Sequence, residues 1–237
     1  MQLSLTIIVP AFNEADCLEA LVKDLNAFLV EATIPTSVLF VNDGSTDNTQ
    51  EFIENICHQD KRYHYIHLAS NRGLSTAFKA GVDHTNTTLI GYIDADLQTT
   101  SLDFPKLLEY IPEYDMVLGI RVNRRDGVVK RISSRVANSI RRSLIHDGIS
   151  DTGCPLKIIK SEYLKKVPFF NGMHRFIPSL VQMQGGKVKQ VPVQHFPRFA
   201  GTAKYNLWNR LIHPLHDAYA VRWMQKRFIN YTIDKEE

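Results

Sequence analysis

The sequence predicts an α/β fold with a Rossmann-like, mostly parallel central sheet flanked by helices, followed by C-terminal amphipathic helices. In the first half, short apolar strand patterns alternate with helix patterns, which indicates right-handed βαβ units. Polar clusters follow three of the strands, where sheets of this kind bind their ligands. The 237 residues, 44% of them hydrophobic, fit one large domain with a sizeable core.

Five strands and three helices are predicted before residue 121. The first strand is apolar and ends at Pro10, and the helix after it carries leucines at helical spacing. The second helix begins with the cap-forming residues Ser45, Thr46 and Asp47. In order, the elements are strand Leu3–Val9, helix Ala15–Leu29, strand Ser37–Val41, helix Ser45–Cys57, strand Tyr63–Leu68, helix Gly73–His84, strand Leu89–Ile93 and strand Met116–Ile120.

The second half is less regular. Pro192 indicates an edge strand, because proline cannot donate to a sheet ladder. Pro178 would disturb a helix at its position, and Pro214 is expected to break or bend the last helix. The predicted elements are helix Gly127–Ile145, strand Cys154–Ile159, helix Met173–Met183, strand Val188–Phe196, a polar loop over 197–206 and a helix from Leu207 onward.

The net charge of +3 conceals an asymmetry between the two halves. Residues 1–115 hold 6 Lys and Arg against 17 Asp and Glu, whereas residues 116–237 hold 22 against 8. An acidic half can hold a cation and a basic half can face phosphates or an anionic surface, although ordinary solvated charge is the plainer alternative. The basic half has no known nucleic-acid module and no stacking series of aromatics, so no nucleic-acid partner is expected.

The three cysteines include no CxxC pair, which favours a reduced, cytoplasmic protein without a disulfide framework. Cys154 has no obvious base beside it and is expected to be a buried thiol. The N-terminus has no signal-peptide pattern. No apolar run approaches the ~18 residues of a membrane span, so no spanning helix is expected.

Asp94-Ala95-Asp96 is the most informative short motif, because it follows the apolar strand pattern Leu89–Ile93. Two carboxylates two residues apart at a strand end project to the same side. They repel each other unless a cation joins them. Hard oxygen ligands at an open site suit Mg²⁺ or Mn²⁺, which share their coordination with substrate phosphates. The motif therefore predicts a metal-bound, phosphorylated substrate.

Three motifs together resemble the family-2 glycosyltransferases, whose fold is the GT-A type. These motifs are Pro10-Ala11-Phe12-Asn13-Glu14, Asn42-Asp43-Gly44-Ser45-Thr46-Asp47 and Asp94-Ala95-Asp96-Leu97-Gln98. The resemblance implies that Asp43 accepts a hydrogen bond from the nucleotide base. The implied nucleotide-binding residues are Pro10, Phe12, Glu14, Asp43 and Asp94, and the implied ligands of Mg²⁺ or Mn²⁺ are Asp94, Asp96 and Gln98. Asp43 and Asp47 also fit turn and helix-cap roles, which we expect for Asp47.

The second half resembles the polyprenyl-phosphate glycosyltransferase branch of that family, typified by dolichol-phosphate mannose synthase. The segments that carry the resemblance are Gly119-Ile120-Arg121, Lys130-Arg131-Ile132-Ser133-Ser134-Arg135-Val136-Ala137-Asn138, Asp151-Thr152-Gly153 and 198–205. They imply an acceptor-phosphate site of Arg121, Lys130, Arg131, Ser134, Arg198 and Lys204. The family's Arg-Lys pair is inverted here, so either Lys130 or Arg131 can be the phosphate ligand. Lys157 can take the place of a family arginine.

A lipid phosphate is ionised at neutral pH and needs positive groups that bring it to the sugar rather than a strong base. We therefore expect in-line attack by a phosphate oxygen with inversion at C1, and the implied catalytic residues are Asp96, Arg121 and Arg131. Two alternatives stay open. One is a transferase of the same fold that acts on a saccharide or protein hydroxyl, and the other is a non-catalytic subunit that binds nucleotide sugars.

These assignments make residues 1–206 one GT-A domain, with a nucleotide-sugar and metal half at 1–120 and an acceptor half at 121–206. The segment 207–237 mixes aromatic with basic residues, which suits a membrane interface, and packing in a homo-oligomer is the alternative. The expected partners are a nucleoside-diphosphate sugar, a polyprenyl phosphate, and a membrane surface or a membrane partner protein. The expected location is the cytoplasm, at the inner face of the membrane.

Two further groups of basic residues are expected to play no catalytic part. Arg141 and Arg142 fit solvated or membrane-facing charges. The spacing of the histidines matches no compact zinc motif, so a structural or surface role is expected for His174, His195, His213 and His216.

Overall fold

The computed structural model describes residues 2–122, 141–197 and 207–229, with the backbone alone at 207–214. The strands are β1 (Leu5–Ala11), β2 (Thr36–Asn42), β3 (Tyr63–His67), β4 (Leu89–Tyr92), β5 (Met116–Arg121), β6 (Lys157–Lys160) and β7 (Val188–Val193). They form one sheet in the order β3-β2-β1-β4-β6-β5-β7. Strand β6 runs antiparallel to both of its neighbours, and the other four pairings are parallel. The prediction of a mostly parallel sheet is confirmed.

Helices cover both faces of the sheet because successive strand residues point to opposite sides. The helices are α1 (Ala15–Glu31), α2 (Thr49–Gln59), α3 (Leu74–Asp83), α4 (Phe104–Leu108), α5 (Ser161–Leu164), α6 (Ile177–Met183) and α7 (Leu207–Arg227). Ile7 packs in a core with α1, α2 and α4. Its neighbour Ile8 packs on the other face with α3, α5, α6 and α7. The sheet therefore lies between two hydrophobic layers.

Most predicted elements lie within two residues of the observed ones, and the larger differences have local causes. Helix α2 begins at Thr49 rather than Ser45, because the preceding side chains bind the loop after β1. Strand β6 begins at Lys157, three residues later than predicted. Met173–Arg175 forms a separate 3-10 turn before α6. Pro178 is tolerated in the first turn of α6, where the backbone N–H groups have no helical partner.

Of two further prolines, Pro192 has the predicted effect and Pro214 does not break its helix. Pro192 lies in β7, which is an edge strand as predicted. Pro214 does not break α7, which is continuous from Leu207 to Arg227. A proline removes one hydrogen bond from a helix, and the bonds of the adjacent turns can hold the backbone together. Across the described ranges, no helix combines the length and apolar character needed to cross a bilayer.

Residues 141–145 are helical, and the rest of the helix predicted over Gly127–Ile145 lies outside the described residues, as does nearly all of the loop predicted at 197–206. The expectation of a solvated Arg141 is wrong. Arg141 is 6% exposed and forms an ion pair with the buried Asp147, while Arg142 is exposed. The partner follows six residues later, after a turn through His146 at φ 56°, so helical spacing gives no sign of it.

Candidate active site

The Asp94–Gln98 loop follows β4 at the rim of the sheet. Asp94 is half-buried and Asp96 is 8% exposed. The backbone turns sharply at Leu97, whose φ of 56° lies in the left-handed region that few non-glycine residues adopt. This turn allows the Gln98 backbone N–H to donate to Asp96 Oδ1 at 3.2 Å. The three predicted metal ligands are therefore held on one short, tightly wound loop.

Asp94 is the electrostatically perturbed member of this loop. Burial and then the nearby Asp96 carboxylate raise the pKa of Asp94 to about 6. A hydrogen bond from the Tyr92 hydroxyl at 2.5 Å and the charges of Lys157 and Arg121 act in the opposite direction. Two carboxylates this close together repel each other, and a cation bound between them would relieve that repulsion.

The donor set of this loop fits Mg²⁺ or Mn²⁺ with an incomplete protein shell. Within the described ranges, no three His, Cys, Asp or Glu side chains converge into a group that could hold an ion. Two carboxylates and one amide oxygen supply hard ligands, and Mg²⁺ usually completes its shell with water and substrate phosphates. The chemistry of Asp94, Asp96 and Gln98 therefore suits an ion that keeps some of its waters and can share its coordination with a phosphorylated ligand.

Asp43 directly follows β2 and binds the two residues that precede α3. Its two carboxylate oxygens accept from the backbone N–H groups of Arg72, at 2.8 Å, and Gly73, at 2.7 Å. A carboxylate has about four acceptor positions, so these bonds leave capacity for a base donor. Gly44 is required beside it, because a Cβ on this residue, at φ 69°, would lie 2.6 Å from the backbone of Ser70.

The loops after β1 and β2 are joined by side-chain hydrogen bonds. Asp47 accepts from the N–H of Thr49 at 3.0 Å and from the N–H of Ala15 at 3.3 Å. It therefore binds the first N–H of α2, although the N-cap residue itself is Asn48 and not Asp47. Burial raises the pKa of Asp47, but these hydrogen bonds hold it below the ordinary value. The N–H of Glu14 donates to the Thr49 hydroxyl at 3.0 Å. These bonds hold the loop after β1 in place. That loop carries the half-buried Phe12 and Glu14, shortly after the buried Pro10 of β1.

Arg121 ends β5 and is held by Asp151. Its Nε and Nη2 donate to the two Asp151 oxygens at 2.8 and 2.7 Å, and its backbone N–H donates to Oδ2 at 3.2 Å. A Cβ at Gly153 would lie 2.9 Å from Arg121 Nη2, so a glycine there leaves room for the guanidinium. The pair uses two of the five side-chain N–H donors of arginine. A fixed, half-buried positive group therefore stands near the carboxylates of the Asp94 loop.

Lys157 reaches the same rim because β6 runs antiparallel. Strand β6 begins at Lys157, which pairs with Tyr92 of β4 and with Leu118 of β5. Lys157 is 3% exposed, and its Nζ lies 4.9 Å from the centre of the Tyr92 ring. Burial lowers the pKa of Lys157, while the charges of Asp94 and Asp151 act to raise it. The rim thus holds acidic and basic groups from three adjacent strands.

The end of β7 is tied to the Asp94–Gln98 loop through the backbone of Gln98. The carbonyl oxygen of Gln98 accepts from His195 Nδ1 at 2.9 Å and from the Phe196 N–H at 3.0 Å. His174 instead contacts Ser75, whose Oγ lies 3.2 Å from its Nδ1. Burial lowers the pKa of His174 to about 3, so it is neutral at physiological pH. These contacts give His195 and His174 structural roles.

Several predicted acceptor-site residues lie outside the described part of the chain: Lys130, Arg131, Ser134, Arg198 and Lys204. Their roles stay predictions. Two rim residues were missed by sequence reasoning as functional candidates. Tyr92 is concealed within an apolar strand pattern, and Asp151 is 30 residues from its partner Arg121. Cys154 is a buried free thiol as predicted, and burial raises its pKa to about 11.

Comparison with curated proteins finds relatives named for lipid-phosphate sugar transfer. The chain is 31% identical over 214 residues to dodecaprenyl-phosphate galacturonate synthase from Rhizobium johnstonii, covering 86% of this chain and 62% of that protein. It is 30% identical over 214 residues to undecaprenyl-phosphate 4-deoxy-4-formamido-L-arabinose transferase from Edwardsiella ictaluri, covering 90% and 66%. The chain therefore spans just under two thirds of the length of these relatives.

Comparison with solved structures shows the same fold at low identity. Mannosyl-3-phosphoglycerate synthase from Rubrobacter xylanophilus superposes with a TM-score of 0.70 at 15% identity, covering 98% of this chain and 77% of that chain. Glucosyl-3-phosphoglycerate synthase from Mycobacterium tuberculosis, in complex with Mn²⁺, uridine diphosphate and glucosyl-3-phosphoglycerate, gives 0.69 at 14% identity, covering 96% and 81%. The α/β fold is thus of the GT-A type. The profile described as Glycosyl transferase family 2 matches residues 6–168, well over half of the sequence, and this chain belongs to that family.

Proposed function

We propose that the chain is an inverting glycosyltransferase that moves a sugar from a nucleoside-diphosphate donor to a polyprenyl phosphate. One observation carries the proposal: at one rim of the sheet, the carboxylates after β4 face the cations of β5 and β6. Asp94 and Asp96 suit a metal-bound diphosphate, and Arg121 suits a second anion beside it. The names of the two curated relatives support a lipid phosphate as that second anion.

On the donor side, each residue has a role that its position supports. Asp94, Asp96 and Gln98 would hold Mg²⁺ or Mn²⁺, which neutralises the charge that gathers on the departing nucleoside diphosphate. Asp43 accepts a hydrogen bond from the base. Its carboxylate is already held in place by the backbone N–H groups of Arg72 and Gly73. The remaining nucleotide contacts are proposed for Pro10, Phe12 and Glu14.

On the acceptor side, the chemistry needs attraction and alignment rather than proton removal. The phosphate is already ionised, so the protein has to bring it to the sugar C1 against repulsion from the donor. Arg121 is suited to this because Asp151 fixes its guanidinium before the substrate arrives. Arg131 or Lys130, with Ser134, Arg198 and Lys204, completes the proposed phosphate site. Residues 1–120 and 121–206 would then form the donor and acceptor halves of one domain.

The direct test is release of nucleoside diphosphate from a panel of nucleotide sugars, with and without a short polyprenyl phosphate, and in Mn²⁺ or EDTA. We expect metal-dependent release that needs the polyprenyl phosphate, and a glycolipid product of matching mass. If a saccharide or protein acceptor supports release as well as the polyprenyl phosphate does, the hydroxyl-directed alternative is correct. Nucleotide-sugar binding without release under every condition would identify the non-catalytic alternative.

Replacing Arg121 with alanine is expected to weaken use of the lipid phosphate more than use of the donor. Loss of a charge-assisted contact worth about 1.5–3 kcal/mol corresponds to a roughly tenfold to hundredfold loss in kcat/KM for the acceptor. Steady-state kinetics with each substrate varied in turn would measure this. Arg62→Ala, at the far edge of the sheet, is the matched control and should change neither constant.

Without the Arg121 guanidinium, the charge of the Asp151 carboxylate could itself repel the phosphate. The double variant Arg121→Ala with Asp151→Asn removes this charge and isolates the loss of the guanidinium. If the double variant regains wild-type acceptor kinetics, Arg121 does not contact the phosphate. Equal losses for donor and acceptor would also argue against the assignment.

We also propose that the outer face of α7 rests on an anionic membrane surface. Ala218 and Val221 pack into the core, while Tyr219 and Trp223 on the other face are each 61% exposed. Arg227 lies 5.6 Å from the Trp223 ring, and Lys226 is exposed nearby. Aromatic rings among basic residues suit the headgroup region of a bilayer, and the charges favour anionic lipids.

The double variant Tyr219→Ala with Trp223→Ala should bind vesicles containing phosphatidylglycerol roughly tenfold more weakly, because it loses about 1.4 kcal/mol of apolar burial. Co-sedimentation at low and high salt would measure the partition coefficient. Tyr65→Ala, which removes an exposed ring at the opposite sheet edge, should have no effect. If the variant binds vesicles normally but converts a dimer to a monomer, the homo-oligomer alternative is correct.

A further inference from the structure

Tyr92 contacts the proposed metal ligand Asp94 from within the core. It is the last residue of β4 and is 2% exposed, and its hydroxyl donates to Asp94 Oδ1 at 2.5 Å. The two residues are two positions apart, so they project to the same side of the strand. The hydroxyl therefore approaches Asp94 from the protein interior and binds one of its two carboxylate oxygens.

The Tyr92 ring is held from two directions. Lys157 lies directly across the antiparallel pair, with its Nζ 4.9 Å from the ring centre. Phe78 of α3 packs edge-on against the ring, with 5.0 Å between centroids and an interplanar angle of 81°. A desolvated cation–π contact and an edge-to-face aromatic pair each add stability beyond burial. The position of the Tyr92 hydroxyl oxygen is therefore set by the core before any ion binds.

A carboxylate that binds a metal is usually oriented by a hydrogen bond to one of its oxygens, which leaves the other directed at the ion. We propose that Tyr92 is a positioning residue that orients Asp94 for a divalent cation, with its own ring fixed by Lys157 and Phe78. This inference rests on the proposed function, because it requires the Asp94 loop to bind a metal. It adds to the motif a residue that does not itself touch the metal.

The test is the affinity of the intact chain for Mn²⁺ alone, measured from the electron paramagnetic resonance signal of free Mn²⁺. Tyr92→Phe keeps the ring and its packing and removes only the hydroxyl, so the fold is retained. We expect the Kd for Mn²⁺ to rise roughly tenfold, the lower end of the effect of removing a group that orients a metal ligand. The circular dichroism spectrum should be unchanged.

Tyr63→Phe is the matched control, because Tyr63 is also 2% exposed and its hydroxyl donates to Asn26 at 2.9 Å, far from the Asp94 loop. It should bind Mn²⁺ like the wild-type chain. A second comparison variant, Asp94→Asn, should lose nearly all Mn²⁺ affinity.

The outcomes separate the inference from the proposed function. If Tyr92→Phe binds Mn²⁺ like the wild-type chain while Asp94→Asn does not, the positioning role is wrong and the metal site stands. An equal loss in Tyr63→Phe would also overturn the role, because removing any buried hydroxyl would then suffice. If Asp94→Asn binds as well as the wild-type chain, or the wild-type chain binds no Mn²⁺, both the role and the proposed site are wrong.

Discussion

Replacing Asp96 with alanine is expected to abolish sugar transfer while leaving the fold intact. In the proposed function, Asp96 holds the cation that neutralises the leaving diphosphate, and such a contact is worth several kcal/mol in the transition state. We expect kcat/KM to fall about a thousandfold or more. Nucleoside-diphosphate release and Mn²⁺ binding should be lost together, with an unchanged circular dichroism spectrum.

Asp96→Asn makes this test sharper. An asparagine keeps an oxygen that can accept from the Gln98 N–H, as Asp96 Oδ1 does now at 3.2 Å. A loss of activity in this variant therefore reports the missing charge and not a disturbed loop. Asp83→Ala, at the exposed end of α3, is the control and should retain full activity. Turnover of Asp96→Asn near the wild-type level would exclude the metal role.

Replacing Asp147 with alanine is expected to cause a large loss of stability. Its carboxylate binds Arg141 and accepts from the Ser179 hydroxyl at 2.5 Å and from the Ile149 N–H at 3.0 Å. Arg141 Nε is already buried without a hydrogen-bond partner, so the variant would leave a buried cation with little compensation. The free energy of unfolding, measured in urea, should fall by about 3–5 kcal/mol.

An exposed ion pair provides the contrast. Asp60 pairs with Arg62 at 2.6 Å on the surface, and Asp60→Ala should cost at most about 1 kcal/mol. The double variant Arg141→Met with Asp147→Leu should recover most of the loss, because it buries no charge. A urea midpoint for Asp147→Ala equal to that of Asp60→Ala would show that the buried pair contributes little.

The sequence was most informative where a motif coincided with a strand end. The Asp94 loop after its strand and the edge strand at Pro192 could both be predicted, because each depends on local backbone geometry. The direction of β6 could not be predicted, because an apolar strand pattern reads the same in a parallel or an antiparallel pairing.

Contacts between distant residues were beyond sequence reasoning for a related reason. Arg121 was predicted to be a phosphate ligand, but its partner Asp151 could not be predicted, because the pair depends on where two distant segments meet. Arg141 was expected to face solvent, because its sequence neighbours give no sign of the carboxylate it reaches in the core. Tyr92 fits an apolar strand pattern, and only the structure shows its hydroxyl turned toward Asp94.

The position of β5 has a consequence for how the molecule can be divided. Its two neighbours, β6 and β7, both come from later in the chain, and β6 also covers the side of β4 that faces away from β1. A fragment that ended near residue 120 would leave Met116, Val117 and Leu118 without any sheet partner. The proposed donor and acceptor halves therefore share one sheet, and we expect that neither half folds as an autonomous module.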